Sequence, residues 1–376
     1  MKIAQVAPLI ERVPPQLYGG TERVVSYLTE ELVRQGHRVT LFASGDSITS
    51  AELVPCAERA LRLDPEAPSP LAEQVIMLDK LRRRAHEFDV IHFHIDYLHF
   101  PFCRHDRWRA LTTLHGRLDL PEVRRFYREF SEQPLVSISM NQRAPMPPVN
   151  WAGTVYHGLP LDLYSYRASS DGYLVFMGRI SPEKRPDRAI EIARRSGLKL
   201  RIAAKVDRVD EAYFNERIRP LLSDPLVEFI GEVGEAEKGD LLGGARVLLF
   251  PVDWPEPFGL VMIEAMACGT PVIAWRCGSV PEVVDDGITG WIVESIDEAV
   301  AAVARTDLID RARVRAVFEE RFSATRMASD YVAIYRRIAE ARAPVRRPLH
   351  IGARPIAERP ALQRPPERHN LLCDHA

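Results

Sequence analysis

The chain is poor in cysteine. Its five (Cys56, Cys103, Cys268, Cys277 and Cys373) are odd in number, widely spaced and without a C-x-x-C pair. That argues against both a disulfide framework and a zinc cluster, and it reads as a reduced, cytoplasmic setting. No stretch approaches the roughly 18 uncharged apolar residues of a membrane span, so no transmembrane segment is expected, and peripheral contact with a membrane is left open. The opening MKIAQVAPLIERVPP has one lysine and then a short apolar run broken by proline and charge, which fits a first buried strand better than a signal peptide. A one-sided charge is also lacking. With 50 Lys and Arg against 52 Asp and Glu, the formal net charge is -2, which sets up no field for nucleic acid. Neither G-x-G-x-x-G nor G-x-x-x-x-G-K-[ST] occurs, so dinucleotide and P-loop chemistry lose their usual support.

What is present is a repeated α/β grammar. Over 376 residues, 46% of them hydrophobic, a working count of two domains fits the usual domain size of roughly 150 residues. Short, continuously apolar runs (KIAQVAP, HRVTLFAS, DVIHFH, ALTTLH, PLVSIS) alternate with helical patterns such as ERVVSYLTEELVRQG. Strands of that kind, separated by helices, indicate a parallel sheet covered on both faces, the doubly wound arrangement. The grammar restarts at GYLVFMGR and continues through LKLRIAA, LVEFIG, ARVLLFPV, TPVIAW and GWIV. The expected organisation is therefore a first Rossmann-like domain over 1–168 and a second over 169–325, hinged at LPLDLYSYRASSD. A final amphipathic helix over 326–341 and a Pro/Arg-rich tail over 342–376, without periodicity and read as disordered, complete the chain. Ligands of such sheets lie beyond the carboxyl ends of the strands, which puts a cleft between the two domains.

Four stretches could carry chemistry in that cleft. After the first strand come Gly19 and Gly20 and then a helix, an arrangement that lets a ligand approach the backbone; a simple turn with Thr21 as the helix cap would account for it equally well. In GRISPEK, Gly178 ends a strand, Arg179 and Lys184 follow in the loop, and a helix is expected from Pro182. Two cations there suit a diphosphate, while the bland reading is a solvated basic loop. In EPFGLVMIEAMACGTPVIA, Glu256 lies in a proline-broken loop at a strand end and a helix is expected from about Phe258 to Ala267. The helix start suits a phosphate. Glu264 would stand about six residues further in, roughly 9 Å along, where a ribose diol could satisfy a carboxylate that is otherwise expensive to bury; the alternative is a solvent-facing glutamate. Finally, VIHFHIDYLHF holds His92, His94 and His99, with His115 and His157 further on. No Cys or carboxylate matches the H-x-H spacing, so these read as packed or cleft-lining imidazoles rather than as metal ligands, and His115, just after a strand and before Gly116, falls at the cleft edge.

At these residues the chain resembles the family 4 glycosyltransferases, retaining enzymes with the GT-B fold that use nucleotide-sugar donors. The resemblance runs from Met1 to about Ala341 and is carried by the E-x7-E pair Glu256 and Glu264, with support from GRISPEK, YGGTERVV, TLHG and GITGWIV. It implies that Arg179 and Lys184 bind the donor diphosphate and that Glu264 accepts the ribose hydroxyls. It further implies that Glu256 contacts the sugar near its 3-hydroxyl, that His115 touches the transferred sugar, and that Gly19, Gly20, Gly178, Phe258, Gly259 and Leu260 line the donor site. Where many relatives carry Asn-Gly, this chain has His157 and Gly158, and His157 is given no catalytic role. The implied reaction transfers a sugar, with UDP-glucose as the base-rate donor, to an unidentified hydroxyl acceptor that is a small molecule, a glycan or a lipid-linked compound. No carboxylate stands out as a nucleophile, so a front-face route with retention is expected. Neither a metal nor another cofactor is expected, since the donor is a substrate. A sugar-nucleotide epimerase of the same architecture and a non-catalytic carbohydrate-binding protein are the alternatives. Oligomeric state is not legible.

Overall fold

The computed structural model describes residues 1–17, 19–63 and 69–340; the Pro/Arg-rich tail lies outside the described residues. The first half is built on seven parallel strands, β1 (Lys2–Val6), β2 (Arg38–Ser44), β3 (Glu52–Ala57), β4 (Val90–Phe93), β5 (Ala110–Thr113), β6 (Leu135–Ser137) and β7 (Trp151–Thr154), in the order β3-β2-β1-β4-β5-β6-β7. Five of these are the apolar runs of the sequence. The other two, β3 and β7, are the edges, and neither looks like a central strand. Pro55 cannot donate to a ladder, which only an edge tolerates, and the short stretch Trp151–Thr154 is half-buried throughout.

The second half holds six parallel strands, β8 (Leu174–Arg179), β9 (Leu200–Lys205), β10 (Val227–Gly231), β11 (Val247–Phe250), β12 (Val272–Trp275) and β13 (Gly290–Val293), in the order β10-β9-β8-β11-β12-β13. Each corresponds to one of the expected runs. Both sheets reverse their strand order once, between β1 and β4 and between β8 and β11. At such a switch point the connections leave on opposite faces, which opens a crevice at the strands' carboxyl ends. The glycine pair follows β1, while β8 runs one residue past Gly178, so that Arg179 ends the strand instead of lying in the loop and Lys184 follows it; all are delivered to crevices by topology alone.

The stretch joining the halves is pinned along its length. Arg315 donates to the carbonyls of Tyr164 and Leu161, Arg311 donates to that of Arg167, and Leu159 bridges Ser323. Just beyond that bridge starts the final helix, Ala324–Glu340, which packs on the first half: Tyr335 Oη accepts from Gln5 Nε2 of β1 at 3.1 Å, and Tyr331 Oη bonds Thr113 Oγ1 of β5 at 2.9 Å. Both tyrosines are buried, each contributing about 2 kcal/mol by area. Among the described residues no helix is long and apolar enough to cross a membrane.

Candidate functional site

One cavity of about 440 Å³ is lined by all eleven residues that the resemblance puts at the donor site: Gly19, Gly20 and His115 from the first half, and Gly178, Arg179, Lys184, Glu256, Phe258, Gly259, Leu260 and Glu264 from the second. The halves meet at its waist, where a Cβ on Gly20 would stand 3.5 Å from Leu260 Cδ1. The helix after β1 runs Gly20–Arg34 with Gly19 as its cap, so Thr21 lies inside it rather than capping it.

The loop after β8 differs from expectation. Pro182–Lys184 form only a single 3₁₀ turn, Arg185 adopts a left-handed conformation (φ 54°), and the α-helix starts at Pro186. A proline suits a first helical position and disfavours helical geometry in the residue before it, which is why the helix starts four residues late. Arg179 pairs with Glu183 and lies 3.4 Å from Asp210. Lys184 pairs with Glu256 and lies over the rings of Trp254 and Phe250, at 5.3 and 5.8 Å from their centroids.

Glu256 also accepts from Trp254 Nε1 at 2.9 Å, and its loop is held from behind: Ser279 N–H donates to the Glu256 carbonyl at 3.0 Å, and Ser279 Oγ donates to that of Phe258 at 2.8 Å. The helix that follows runs Leu260–Ala267, starting two residues later than expected because Gly259 is left-handed (φ 79°). A Cβ there would meet Met262 Cε and Phe250 Cζ at 2.8 and 2.9 Å, so the position requires glycine. Glu264 is consequently the fifth helical residue, about 6 Å from the helix start rather than 9 Å.

Glu264 is 3% exposed, yet it is not waiting for a partner: Lys238 Nζ donates to its Oε1 at 3.1 Å. Lys238 stands on the helix Glu235–Gly244 and itself lines the cavity, while Glu235, one turn earlier, pairs with Arg23 of the first half and accepts from Tyr164. These residues went unread because nothing in EAEKGDLL departs from an ordinary solvated helix. His157, given no role from sequence, also lines the cavity. Its ring stacks on His115 at 5.4 Å and meets Phe258 edge-on at 4.8 Å.

The five histidines picked out in the sequence are packed, and burial favours their neutral form. Burial alone lowers His115 to a pKa of about 3, and burial is the chief cause holding His92, His94, His99 and His157 well below the usual histidine range. His92 and His94 are bound to protein groups, and His99 stacks on Phe93 at 3.6 Å. Among the described residues, no group of three or more His, Cys, Asp or Glu is set to hold a metal ion.

The cavity thus joins two cations, a helix start and a buried carboxylate from one half to glycines and imidazoles from the other. A family model described as "Glycosyl transferases group 1" matches residues 166–321, and one described as "Glycosyltransferase Family 4" matches residues 18–142. A curated relative, the D-inositol 3-phosphate glycosyltransferase of Saccharomonospora viridis, is 34% identical over 182 residues, 43% of this chain and 42% of the relative. The chain therefore spans about two fifths of that relative's length. Among solved structures, AviGT4, a glycosyltransferase involved in avilamycin A biosynthesis, is 25% identical with a TM-score of 0.67, covering 91% of this chain and 99% of its own. Anabaena Alr3699/HepE, solved in complex with UDP and glucose, has the same fold at 19% identity and a TM-score of 0.67, covering 89% and 98%. The two matched stretches fall on the two parallel-sheet halves and take in most of the chain, which belongs to the family 4 glycosyltransferases and has their GT-B fold.

Proposed function

We propose that this protein is a retaining glycosyltransferase that moves a sugar from a nucleotide-diphosphate sugar, with UDP-glucose as the first donor to test, to a hydroxyl acceptor in the cytoplasm. The observation that carries this reading is the cavity in which Arg179, Lys184, Glu256 and Glu264 face Gly20 and His115 across the two sheets. The choice of UDP-glucose draws on the UDP and glucose of the HepE complex. The inositol phosphate in the curated relative's name enters as one acceptor to try.

In this reading the donor diphosphate lies between Arg179, Lys184 and the start of the helix Leu260–Ala267. There the amides of Phe258, Gly259 and Leu260 and the positive end of the helix dipole meet its charge. Gly178, Gly19 and Gly20 leave room for it. Carboxylates now occupy both cations, and the incoming phosphate oxygens replace them: Lys184 turns from Glu256 to the diphosphate, which frees Glu256 to accept from the sugar near its 3-hydroxyl. Glu264 accepts from the ribose diol, and His115 contacts the transferred sugar.

The bond between the anomeric carbon and the phosphate oxygen then breaks, its electron pair leaving with the diphosphate. The acceptor oxygen bonds on the same face, so configuration is retained, and its proton passes to the departing phosphate oxygen. Arg179 and Lys184 stabilise the charge growing there, the kind of electrostatic contribution that is usually largest. This route calls on no metal ion. Closure of the two halves excludes water and limits hydrolysis.

A thermal-shift screen of nucleotide sugars, followed by an acceptor panel, tests the proposal. The expected result is stabilisation by UDP-glucose, then released UDP together with a new glycoside. An isomerised nucleotide sugar would mean an epimerase, and carbohydrate binding without either product would mean a binding protein.

A further inference from the structure

Behind His115 an unbroken line of hydrogen bonds runs through the first half to the final helix. His115 Nε2 lies 2.8 Å from His94 Nδ1, and His94 Nε2 lies 2.8 Å from Gln5 Oε1. On the other side of Gln5, its Nε2 donates to Tyr335 Oη at 3.1 Å, Tyr335 Oη lies 2.7 Å from His92 Nδ1, and His92 Nε2 lies 2.7 Å from Thr113 Oγ1. From His94 to Thr113 every member is buried, and of the whole line only His115 lines the cavity. Gln5, one residue before the carboxyl end of β1, is where the two arms meet.

An amide has one accepting and one donating end, so the arms that meet at Gln5 must run in a single direction. With Oε1 accepting, His94 Nε2 carries the proton. A neutral imidazole carries only one, so His94 Nδ1 accepts, His115 Nε2 donates, and His115 Nδ1 keeps a bare lone pair. Burial keeps both rings neutral, which closes off the doubly protonated alternative. On the far arm Tyr335 O–H donates to His92 Nδ1 and His92 Nε2–H donates to Thr113, where hydroxyl protons can turn to suit. His115 Nδ1 is buried and has no hydrogen-bond partner in the protein. In the reverse direction a fixed N–H would stand at that point without an acceptor, the costlier kind of orphan.

We infer that Gln5, acting through His94, is a positioning residue for the site: it holds His115 as the Nε2–H tautomer, so that Nδ1 meets a substrate hydroxyl as an acceptor only. The inference rests on the reading above in which His115 touches the transferred sugar. It extends the site to a residue on β1 that no motif marks and, through Tyr335, to the final helix that orients the amide.

Two measurements on the full chain test it. With isotope-labelled histidine, long-range proton–nitrogen correlation spectra read the tautomer directly. In the parent near neutral pH, His115 is expected to show a protonated Nε2 and a bare Nδ1, and the opposite pattern or a mixture would overturn the inference. Gln5→Leu, which removes both ends of the amide, is expected to produce the mixture. Calorimetry with UDP-glucose and with UDP then asks whether the tautomer matters for sugar recognition. Gln5→Leu should weaken UDP-glucose by about three- to tenfold, the worth of one hydrogen bond, while UDP is held as by the parent. Equal weakening of both ligands, or of neither, would overturn the inference. Tyr335→Phe is the milder second variant, expected to act in the same sense by a smaller factor. A parent that binds neither ligand would sink the donor reading, and the spectrum would still decide the tautomer.

Discussion

Lys238 Nζ donates to Glu264 Oε1 across 3.1 Å, from one cavity-lining helix to the next. The pair is largely withdrawn from water, with side-chain exposures of 16% and 5%. Removing Lys238 leaves the buried Glu264 carboxylate without its cation, at a cost of about 3 kcal/mol. Lys238→Met is therefore expected to lower the unfolding free energy from urea titration by that order, whereas Lys238→Met combined with Glu264→Gln recovers most of the loss because neither member of the pair then carries a charge. The single variant should also bind UDP-glucose more weakly, since Glu264 loses the hydrogen bond that holds its carboxylate in place. An unchanged midpoint in the single variant would mean that the two groups do not support each other.

The pairing of Lys184 with Glu256 makes a different prediction. If the lysine leaves that carboxylate to stabilise the departing diphosphate, Lys184→Ala lowers turnover by about 10²-fold, as loss of one charge-stabilising donor does elsewhere. Glu256→Gln releases the lysine, so UDP binds more tightly while transfer slows through lost contact with the sugar. Steady-state rates and UDP calorimetry on both variants check this. Equal turnover in Lys184→Ala and the parent would remove the lysine from the reaction.

The fold was legible wherever a strand is a mostly apolar run, which includes β10 and β13 at the edges of the second sheet as well as the central strands. It was illegible at β3 and β7, where an edge relaxes that requirement and admits Pro55 or the half-exposed Trp151–Thr154. The cavity's residues could be picked out from Glu256, Glu264, Arg179 and Lys184 because cations at a strand end and a carboxylate among apolar neighbours need explaining. Lys238 needed no explanation in sequence, since a lysine in a charged helix is ordinary, and only folding brings it to Glu264. The late helix starts at Pro186 and Leu260 come from left-handed residues, Arg185 and Gly259, and an arginine announces no such conformation.

Gly278 carries a further expectation. It is left-handed (φ 57°), and an added Cβ would run into the backbone of Glu256 and come within 2.7 Å of the Pro255 carbonyl carbon. Backbone cannot step aside as a side-chain tip can, so Gly278→Ala shifts the Glu256 loop and costs about 1–3 kcal/mol. Thermal unfolding should register that loss and kinetics a rise in KM for UDP-glucose. Parent-like values for both would show that the loop yields freely.

Glu22 lines the cavity at 6% exposure, and burial lifts its pKa from 4.5 to about 7. The folded chain then keeps a proton that the unfolded chain has released. Its contribution is most favourable below pH 4.5 and is lost as pH rises through 7, by on the order of 3 kcal/mol. Glu22→Gln, neutral throughout, should raise the urea midpoint at pH 8 and leave it near the parent's at pH 4.5. A midpoint raised equally at both values would point to packing instead.

The buried imidazoles act in the opposite sense and outnumber it. His92, His94, His99 and His157 are held well below 6.5 and His115 falls to about 3, chiefly through burial. The folded chain keeps these rings neutral, whereas the unfolded chain protonates them as pH drops past 6.5. Their stabilisation is thus complete above 6.5 and is lost as pH falls towards the folded values, at about 1.4 kcal/mol per pH unit for each ring once titration is under way. Glu22 offsets only one of those protons. The protein should therefore lose stability as pH falls below 6.5, with these rings taking up protons on unfolding. Urea midpoints from pH 8 down to pH 4.5 would check this, and a flat profile between pH 5 and 7 would mean that the imidazoles are hydrated or charged in the folded chain.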